Sequence, residues 1–268
     1  MKPVVYEWED PASPPPPIPA ELPIHLALGV FDGVHRGHQE LITRVVTAEP
    51  PRIPTVVTFA PSPAEVLRGP EHLGMISTVD QRIAWLGEAG IERIIRIRFS
   101  RAFAAIPGRT FLEQLCSILP GLQQVVVGFN FHLGRQRDVP PDILAQWMGE
   151  RGIRVDIVPA LKDNEQSISS SRVRRAIASG DLVAAERMLG RPFALFFSGD
   201  IPEHRERCYQ ILPPPGTYLC TYQSEDHSRE GMMAIAEFGD IHWEPRITGK
   251  ITVIPRRIVD VSDSRADF

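Results

Sequence analysis

A glycine-rich turn at residues 28–39 joins a strand-like run to a helix-like segment. Residues 24–30, which lead into the turn, are mostly apolar and long enough to form a buried strand. Apolar side chains after the turn recur at helical spacing, at Leu41, Ile42, Val45 and Val46. The pattern predicts a strand, a tight turn and a helix that begins near His35.

The residues of this turn favour a bound phosphate. Gly29, Gly33 and Gly37 allow the backbone to turn tightly and to approach a ligand closely. A helix that begins near His35 offers its unpaired N–H groups and the positive end of its dipole. His35 and His38 are three residues apart and share one helix face, so both imidazoles can donate hydrogen bonds to one polyphosphate. The Gly-x-Gly-x-x-Gly dinucleotide fingerprint is not the pattern found here, so NAD binding is a poor interpretation of the turn.

The turn resembles the His-x-Gly-His signature of the nucleotidyltransferase superfamily. The longer string of residues 29–39, Gly-x-Phe-Asp-Gly-Val-His-x-Gly-His-Gln, is similar to the bacterial FAD synthetase family. Members of that family usually join an FMN adenylyltransferase domain to a riboflavin kinase domain. The resemblance implies that ATP and FMN are converted to FAD and pyrophosphate with Mg²⁺ as the cofactor.

The resemblance also implies roles for residues of the turn. His35 and His38 are the expected catalytic side chains, and Asp32 is expected to contact the flavin. Gly29, Phe31 and Gly37 are expected to bind ATP. The resemblance assigns no side chain as a metal ligand.

A second apolar run, residues 55–59, predicts another buried strand that forms a wall of the site. The family resemblance implies that Thr58 of this strand contacts the flavin. A strand that follows a strand and a helix indicates a parallel sheet. The next segment, residues 60–65, resembles the family's Pro-His-Pro-x-Glu motif. Pro61 is therefore expected to contact the flavin, and Ser62 stands where the family usually has a histidine.

Residues 124–138 predict a buried strand that runs into a glycine-containing turn. In a doubly wound sheet such turns line the ligand crevice, so this one is expected on the same side as His35. It resembles the family's Val-Val-Gly-x-(Asp/Asn)-Phe-x-Phe-Gly motif, which makes Asn130 a candidate flavin-binding residue. A turn-forming role for Asn130 is the alternative. Upstream, Phe103 and Phe111 are interpreted as core residues, and Arg96 and Arg98 as a solvated strand face.

Hydroxyl groups precede two cations at residues 167–174. Either Ser169 or Ser170 can cap a following helix, and arginines bring permanent charge that can hold phosphate oxygens. Residues 168–174 resemble the family's Ile-Ser-Ser-Thr-x-(Ile/Val)-Arg motif. The resemblance makes Arg174 a catalytic candidate, and the expected ATP-binding residues of this motif are Ser169, Ser170, Ser171 and Arg172. A capped helix with a solvated basic face is the alternative interpretation.

The fold class expected is α/β. It comprises a Rossmann-like nucleotidyltransferase domain with a parallel sheet and helices on both faces, followed by a small β-barrel-like domain. The predicted limits are a proline-rich leader at 1–23, the first domain at 24–190 and a reduced riboflavin-kinase-like domain at 191–268. The leader has seven prolines in residues 11–23, which favours an extended surface segment that tethers an edge strand at 4–8 or binds a proline-recognising partner.

The last domain departs from the kinase pattern. Residues 193–268 contain no Gly-Arg-x-Leu-Gly-Phe-Pro-Thr-Ala-Asn run, which in the family holds nucleotide phosphate and metal. The charged residues 199–207 contain no glycine-rich turn that leads into a Thr and Asn pair. Riboflavin kinase activity is therefore not expected, although Asp200, Glu237 and Glu244 leave a rebuilt site open. The alternatives are a bifunctional enzyme and a non-catalytic flavin or nucleotide sensor.

Charge and composition exclude several other classes of protein. The 268-residue chain has a net charge of −4, which gives no whole-chain electrostatic attraction to nucleic acid or an anionic membrane. The N-terminus lacks a signal-peptide pattern, and no segment has 18 uncharged apolar residues. Three widely spaced cysteines are typical of reduced thiols in a cytoplasmic protein. Protein partners are left open.

Overall fold

The structure is a computed structural model that describes residues 2–47, 51–69, 73–197, 209–224, 227–237, 239, 241–244 and 250–259. The chain divides into two compact units. The first unit contains residues 1–72 and 82–167, and the second unit contains residues 73–81 and 168–268. The functional limits placed at residues 23 and 190 from sequence stay predictions.

The first unit is built on a six-stranded, fully parallel sheet with strand order β1-β4-β3-β2-β5-β6. The strands are β1 Val4–Trp8, β2 Ile24–Leu28, β3 Ile53–Phe59, β4 Arg93–Ile97, β5 Leu122–Gly128 and β6 Arg154–Val158. A two-stranded hairpin, β7 Lys162–Asp163 and β8 Gln166–Ser167, follows the sheet. The parallel sheet confirms the α/β class expected from the sequence.

Helices cover both faces of this sheet. They are α1 Arg36–Val46, α2 Pro63–Arg68, α3 Val79–Glu88, α4 Arg101–Ala104, α5 Gly108–Ile118 and α6 Pro141–Gly149. Side chains alternate between the faces of a strand, and Leu26 and Leu28 of β2 join a different core cluster from Ala27. The cluster with Leu26 and Leu28 contains apolar residues of α5 and α6, whereas the cluster with Ala27 contains those of α1.

The strand order creates a crevice at one end of the sheet. From β2 the chain passes to β3 and β4 on one side, and it returns to place β5 on the other side of β2. Loops that leave β2 and β5 therefore diverge at the carboxyl ends of the strands, where open α/β sheets bind ligands. The turn with His35 follows β2 and the turn with Asn130 follows β5, which places both at this end of the sheet.

The N-terminal strand β1 is an edge strand that pairs with β4. One of the arginines predicted to form a solvated face, Arg96, is paired across the two strands with Glu7, with 2.7 Å between guanidinium nitrogen and carboxylate oxygen. The proline-rich segment after β1 is bonded to α5: the Ile18 N–H donates to Ile118 O at 2.8 Å, and the Gln114 side chain donates to Pro11 O at 2.8 Å. The leader is thus attached to the first unit.

The second unit contains helices and an antiparallel sheet. The helices are α7 Ser170–Ala178 and α8 Leu182–Leu189, and the strands are β9 Leu195–Phe197, β10 Gly216–Gln223, β11 Ser228–Ile235, β12 Ile241–Glu244 and β13 Ile251–Val259. Their order is β12-β11-β10-β13-β9. The rings of Phe197 and Trp243 lie 4.8 Å apart although β9 and β12 are at opposite ends of this order, so the sheet curls. This agrees with the small barrel-like domain expected from the sequence. Across the described ranges of both units, no helix is long and apolar enough to cross a membrane.

Candidate functional site

The turn after β2 is a buried, strained segment. Asp32–Val34 form a 3-10 turn, with Phe31 and Val34 at φ angles of 55° and 39°. Positive φ is uncommon outside glycine and is a true outlier for a β-branched residue such as valine. Backbone strain of this kind concentrates at ligand sites, where surrounding packing holds it in place. Phe31 and Asp32 have no exposed surface, so the turn is held firmly against the sheet.

The first histidine of the motif begins helix α1. His35 is the N-cap residue, and its Nδ1 accepts a hydrogen bond from the backbone N–H of His38 at 3.3 Å. An Nδ1 that accepts carries no proton, so the neutral ring carries its proton on Nε2. The sequence predicted the helix start; in the structure the His38 N–H is shared between His35 O at 2.7 Å and His35 Nδ1 at 3.3 Å, and the second contact favours the Nε2–H tautomer of His35. His35 can therefore donate a hydrogen bond from Nε2.

The two histidine rings are stacked. Their centroids are 3.6 Å apart with an interplanar angle of 14°, and the ring of Phe31 lies 5.1 Å from that of His38. Gly37 lies between the histidines in the first turn of α1. The structure thus brings together four of the residues predicted for this site: Phe31, His35, Gly37 and His38.

A cavity of about 630 Å³ lies at the carboxyl ends of the first unit's strands. This volume is within the usual range for small-molecule sites. Its lining is largely apolar and includes Leu28, Gly29, Val30, Phe59, Phe99, Phe103, Ile106, Phe111, Phe131 and Leu133. Polar and cationic lining residues are Arg68, Asn130, His132, Arg135, Gln136 and Arg137. Such a lining suits a planar aromatic ligand that carries polar groups.

The other predicted flavin residues take different positions. Asn130 lines the cavity, whereas Thr58, Pro61 and Asp32 are not among its lining residues. The buried Thr58 hydroxyl donates to Val30 O at 2.8 Å and lies 3.2 Å from Arg82 Nη1, which donates to it. The Thr58 hydroxyl therefore links the end of β3 to Val30, the residue that follows β2 by two positions. Its expected contact with the flavin stays a prediction.

Ser62, which stands where the family usually has histidine, caps helix α2. Its hydroxyl accepts from the Glu65 N–H at 3.2 Å, while the Glu65 carboxylate accepts from the Ser62 N–H at 2.7 Å. This reciprocal capping box begins the helix whose residues Pro63 and Ala64 line the cavity. Ser62 thus has a structural role in shaping the cavity wall.

The loop after β5 is attached to the start of α5. Both carboxylate oxygens of Asp138 accept from the Gly108 N–H at 3.1 Å. At Gly134, where φ is +79°, a Cβ atom would overlap Asp138 and Gly108. Only glycine fits this approach, so the glycine of the motif sets the course of the loop that carries Asn130.

The serine and arginine motif lies in the second unit. Ser169 caps α7, with its hydroxyl accepting from the Arg172 N–H at 3.3 Å. The Arg174 Nε–H donates to Gly74 O at 2.9 Å. Ser170 and Ser171 form the first turn of the helix. The choice of cap left open by the sequence is therefore settled as Ser169, and the phosphate contacts of the motif stay a prediction.

Several residues of the site were missed by sequence reasoning. Phe103 and Phe111 belong to the core as interpreted, yet both also line the cavity. Arg82 is almost fully buried and donates to Thr58 and to Phe59 O, an arrangement with no local signal in the sequence. Arg135 directly follows Gly134 and Arg137 lies two residues later, so their place next to the motif was a signal for these cavity arginines.

The candidate kinase residues are largely outside the described part of the chain. Gly199, Asp200 and residues 203–207 lie there, as does the side chain of Glu244. Glu237 is exposed. Over the residues that the structure does describe, no group of three or more His, Cys, Asp or Glu side chains is arranged to hold a metal ion.

Comparisons with known proteins agree with this architecture. The sequence profile described as FAD synthetase matches residues 19–172. The FAD synthetase of Listeria monocytogenes is 30% identical over 195 residues, which is 72% of this chain and 79% of the relative. The bifunctional riboflavin kinase/FMN adenylyltransferase of Pseudomonas fluorescens is 32% identical over 223 residues, covering 78% of this chain and 71% of the relative.

A solved structure has the same fold. The crystal structure of a macrolide-efflux protein from Streptococcus pneumoniae aligns with this chain with a TM-score of 0.77 at 20% identity. The alignment covers 98% of this chain and 94% of the other. At this identity the likeness establishes the shared fold alone.

Proposed function

The chain belongs to the FAD synthetase family, a family of ATP:FMN adenylyltransferases, and we propose that it makes FAD from FMN and ATP without acting as a riboflavin kinase. In the proposed reaction an oxygen of the FMN phosphate forms a bond to the α-phosphorus of ATP. The bond between that phosphorus and the oxygen bridging to the β-phosphorus breaks, and pyrophosphate leaves. No protein nucleophile is required, so the enzyme has to align two phosphates and neutralise charge.

The stacked His35 and His38 pair is the observation that carries the adenylyl-transfer proposal. The capping contact at Nδ1 favours the tautomer of neutral His35 that has its proton on Nε2, which makes Nε2 a hydrogen-bond donor. The start of α1 adds backbone N–H groups and the positive dipole end. Donors that are already oriented stabilise charge as it develops on phosphate oxygens, at no cost of reorganisation during the reaction.

The flavin is proposed to occupy the apolar cavity. Phenylalanine rings and aliphatic side chains suit the isoalloxazine ring, and Asn130 offers an amide for its polar edge. Gly29 and Val30, which belong to the same turn as His35 and His38, line the cavity. This adjacency supports a pose in which the ring lies in the cavity and the FMN phosphate lies near the turn.

ATP is proposed to react as its magnesium complex, in which phosphate oxygens and water supply most of the ligands of the ion. Ser169–Arg174 is proposed to bind phosphate oxygens through hydroxyl, backbone and guanidinium donors. This assignment is supported by the cap that Ser169 forms at the start of α7 and by the resemblance of residues 168–174 to the family motif. A cytoplasmic location is proposed from the cysteine usage.

The proposed lack of kinase activity rests on the sequence of residues 193–268. Kinase chemistry needs a cradle for the β- and γ-phosphates, a metal ligand and a group that orients the attacking hydroxyl. The glycine-containing kinase run described above is missing from these residues. Of the two relatives described above, one is named FAD synthetase and the other a bifunctional riboflavin kinase/FMN adenylyltransferase, a name that further relatives share, so kinase activity needs its own measurement.

One assay tests both halves of the proposal. Purified protein is incubated with ATP and Mg²⁺ plus either FMN or riboflavin, and the flavins are separated by chromatography. FAD is expected from FMN, and neither FMN nor FAD is expected from riboflavin. FMN binding without FAD formation would indicate a non-catalytic sensor. FMN formed from riboflavin in proportion to enzyme, and still formed after His35 and His38 substitution, would establish a bifunctional enzyme.

A further inference from the structure

An aromatic cluster forms one wall of the cavity and the layer of the core directly beneath that wall. It consists of Trp8 and the cavity-lining residues Phe59, Phe99, Phe103 and Phe111. Ring centroids are 5.9 Å apart for Phe59 and Phe99 and 6.5 Å apart for Phe99 and Phe103. Trp8 lies 5.5 Å from Phe103, edge to face, and 5.4 Å from Phe111, nearly parallel at 7°. Trp8 has no exposed surface and does not line the cavity, so it packs against Phe103 and Phe111 from the core.

Trp8 itself is held on both backbone and side chain. It ends β1, where it is in register with Ile97 of β4, and its carbonyl accepts from the Arg98 N–H at 2.9 Å. Its indole Nε1–H donates to Asp10 O at 3.0 Å. The proline-rich segment that follows Trp8 is hydrogen-bonded through Pro11 and Ile18 to α5, the helix that carries Phe111. Trp8 is therefore a fixed support for two rings.

We propose that Trp8 is a positioning residue for the flavin end of the FMN site. The inference rests on the proposed function, because it takes the cavity to be where FMN binds. A ring supported on its far side presents one fixed face to a ligand, whereas a ring with empty space behind it can turn or sink away. The FAD synthetase match begins at residue 19, so this support comes from a segment before the matched residues.

The test compares Trp8→Phe with Trp147→Phe. Trp147 of α6 belongs to the same core cluster, is buried, and has its ring against the Arg151 guanidinium at 3.5 Å. Both substitutions remove the same atoms from the same core, so a general loosening affects both alike. The measurements are the Kd of FMN without ATP, the KM of FMN, the KM of ATP and the Tm.

Trp8→Phe is expected to raise the Kd and KM of FMN by about 2- to 10-fold, the effect of weakening one or two aromatic pairs. The KM of ATP should change less than about twofold, and Trp147→Phe should leave FMN affinity near wild type at a similar loss of Tm. Trp8→Tyr, which also keeps an aromatic ring, gives a second variant should Trp8→Phe fold poorly.

Three outcomes would overturn the inference. They are wild-type FMN affinity in folded Trp8→Phe, equal loss of FMN affinity in Trp147→Phe, and equal rises in the KM of FMN and of ATP. Wild-type protein that binds FMN but makes no FAD would contradict the proposed function alone, and the Kd comparison would still test Trp8. Wild-type protein that binds no FMN would overturn both.

Discussion

The two units hold their motif side chains in different ways. In the first unit His35, Thr58 and Ser62 are buried, and each makes a hydrogen bond within the unit that fixes its orientation. In the second unit Arg172 and Arg174 are only partly buried on a short helix. Buried, oriented donors suit the stabilisation of charge in a transition state, and the planar guanidinium of a partly exposed arginine suits the binding of phosphate oxygens. We therefore expect substitution of His35 in the first unit to act mainly on kcat, and substitution of Arg174 in the second unit to act mainly on the KM of ATP.

The largest expected effect is from His35→Asn. Asparagine keeps an N-cap acceptor for the His38 N–H but removes the Nε2 donor, so it separates capping from chemistry. We expect kcat to fall roughly 10²-fold or more, with FMN affinity little changed, as for loss of one oriented donor. His35→Ala, which also removes the cap, should lower Tm further at a similar kcat. A near-normal kcat in His35→Asn would show that His35 caps α1 and has no catalytic role.

Arg174→Lys should have a smaller effect of a different kind. An ammonium keeps the charge but loses the planar fork and the Nε–H that donates to Gly74 O. We expect kcat/KM for ATP to fall about tenfold, the value of roughly one charge-assisted hydrogen bond, mainly through KM. The control is Arg175→Lys, an exposed neighbour in the same helix. If both variants match wild type, Arg174 belongs to a solvated helix face and the comparison between the units fails.

Local patterns predicted the parts of the site that depend on neighbours in sequence. The strand, turn and helix around His35, a serine cap at residue 169 or 170 and the position of Asn130 after β5 all follow from periodicity and capping rules. The capping box of Ser62 and Glu65 was not predicted, although its Ser-x-x-Glu pattern is present in the sequence. The contacts of Trp8 with the cavity rings and the hydrogen bond between Arg82 and Thr58 could not be predicted in this way, because each joins a strand to a helix that is distant in the sequence.

Thr58→Val tests whether the Thr58 hydroxyl stabilises the fold of the first unit or contributes to FMN binding. Valine matches the shape but leaves Val30 O and an Arg82 N–H without the hydroxyl, which should cost about 1–3 kcal/mol of unfolding free energy. Urea denaturation measures this, with Thr55→Val as the control, since the Thr55 hydroxyl donates to Ile53 O within the same strand. The KM of FMN should stay close to wild type. A large rise in that KM without loss of stability would instead support the direct flavin contact expected from sequence.

The smallest expected effect is on the pH dependence of stability, at a histidine of β2 away from the turn. Burial lowers the pKa of His25 below its usual value of 6.5, and the charges of Arg52 and Arg154 lower it further while Asp156 opposes them. Its Nδ1 is a buried atom without a hydrogen-bond partner in the described structure. The neighbouring Gln124 side chain donates instead to Asp156 at 2.6 Å.

A lowered pKa means that the unfolded chain binds a proton at His25 more readily than the folded chain. The stability contributed by neutral His25 is therefore complete above about pH 6.5 and is lost as the pH falls through the folded-state pKa. The loss should be shallow, because the side chain is only partly buried and solvent screens the nearby charges. Urea midpoints at pH 7.5 and pH 5.5 measure it, and His25→Gln removes the titrating group while other groups cancel in the comparison. Wild type should lose more stability than His25→Gln over this interval, and equal losses would assign the acid sensitivity to other residues.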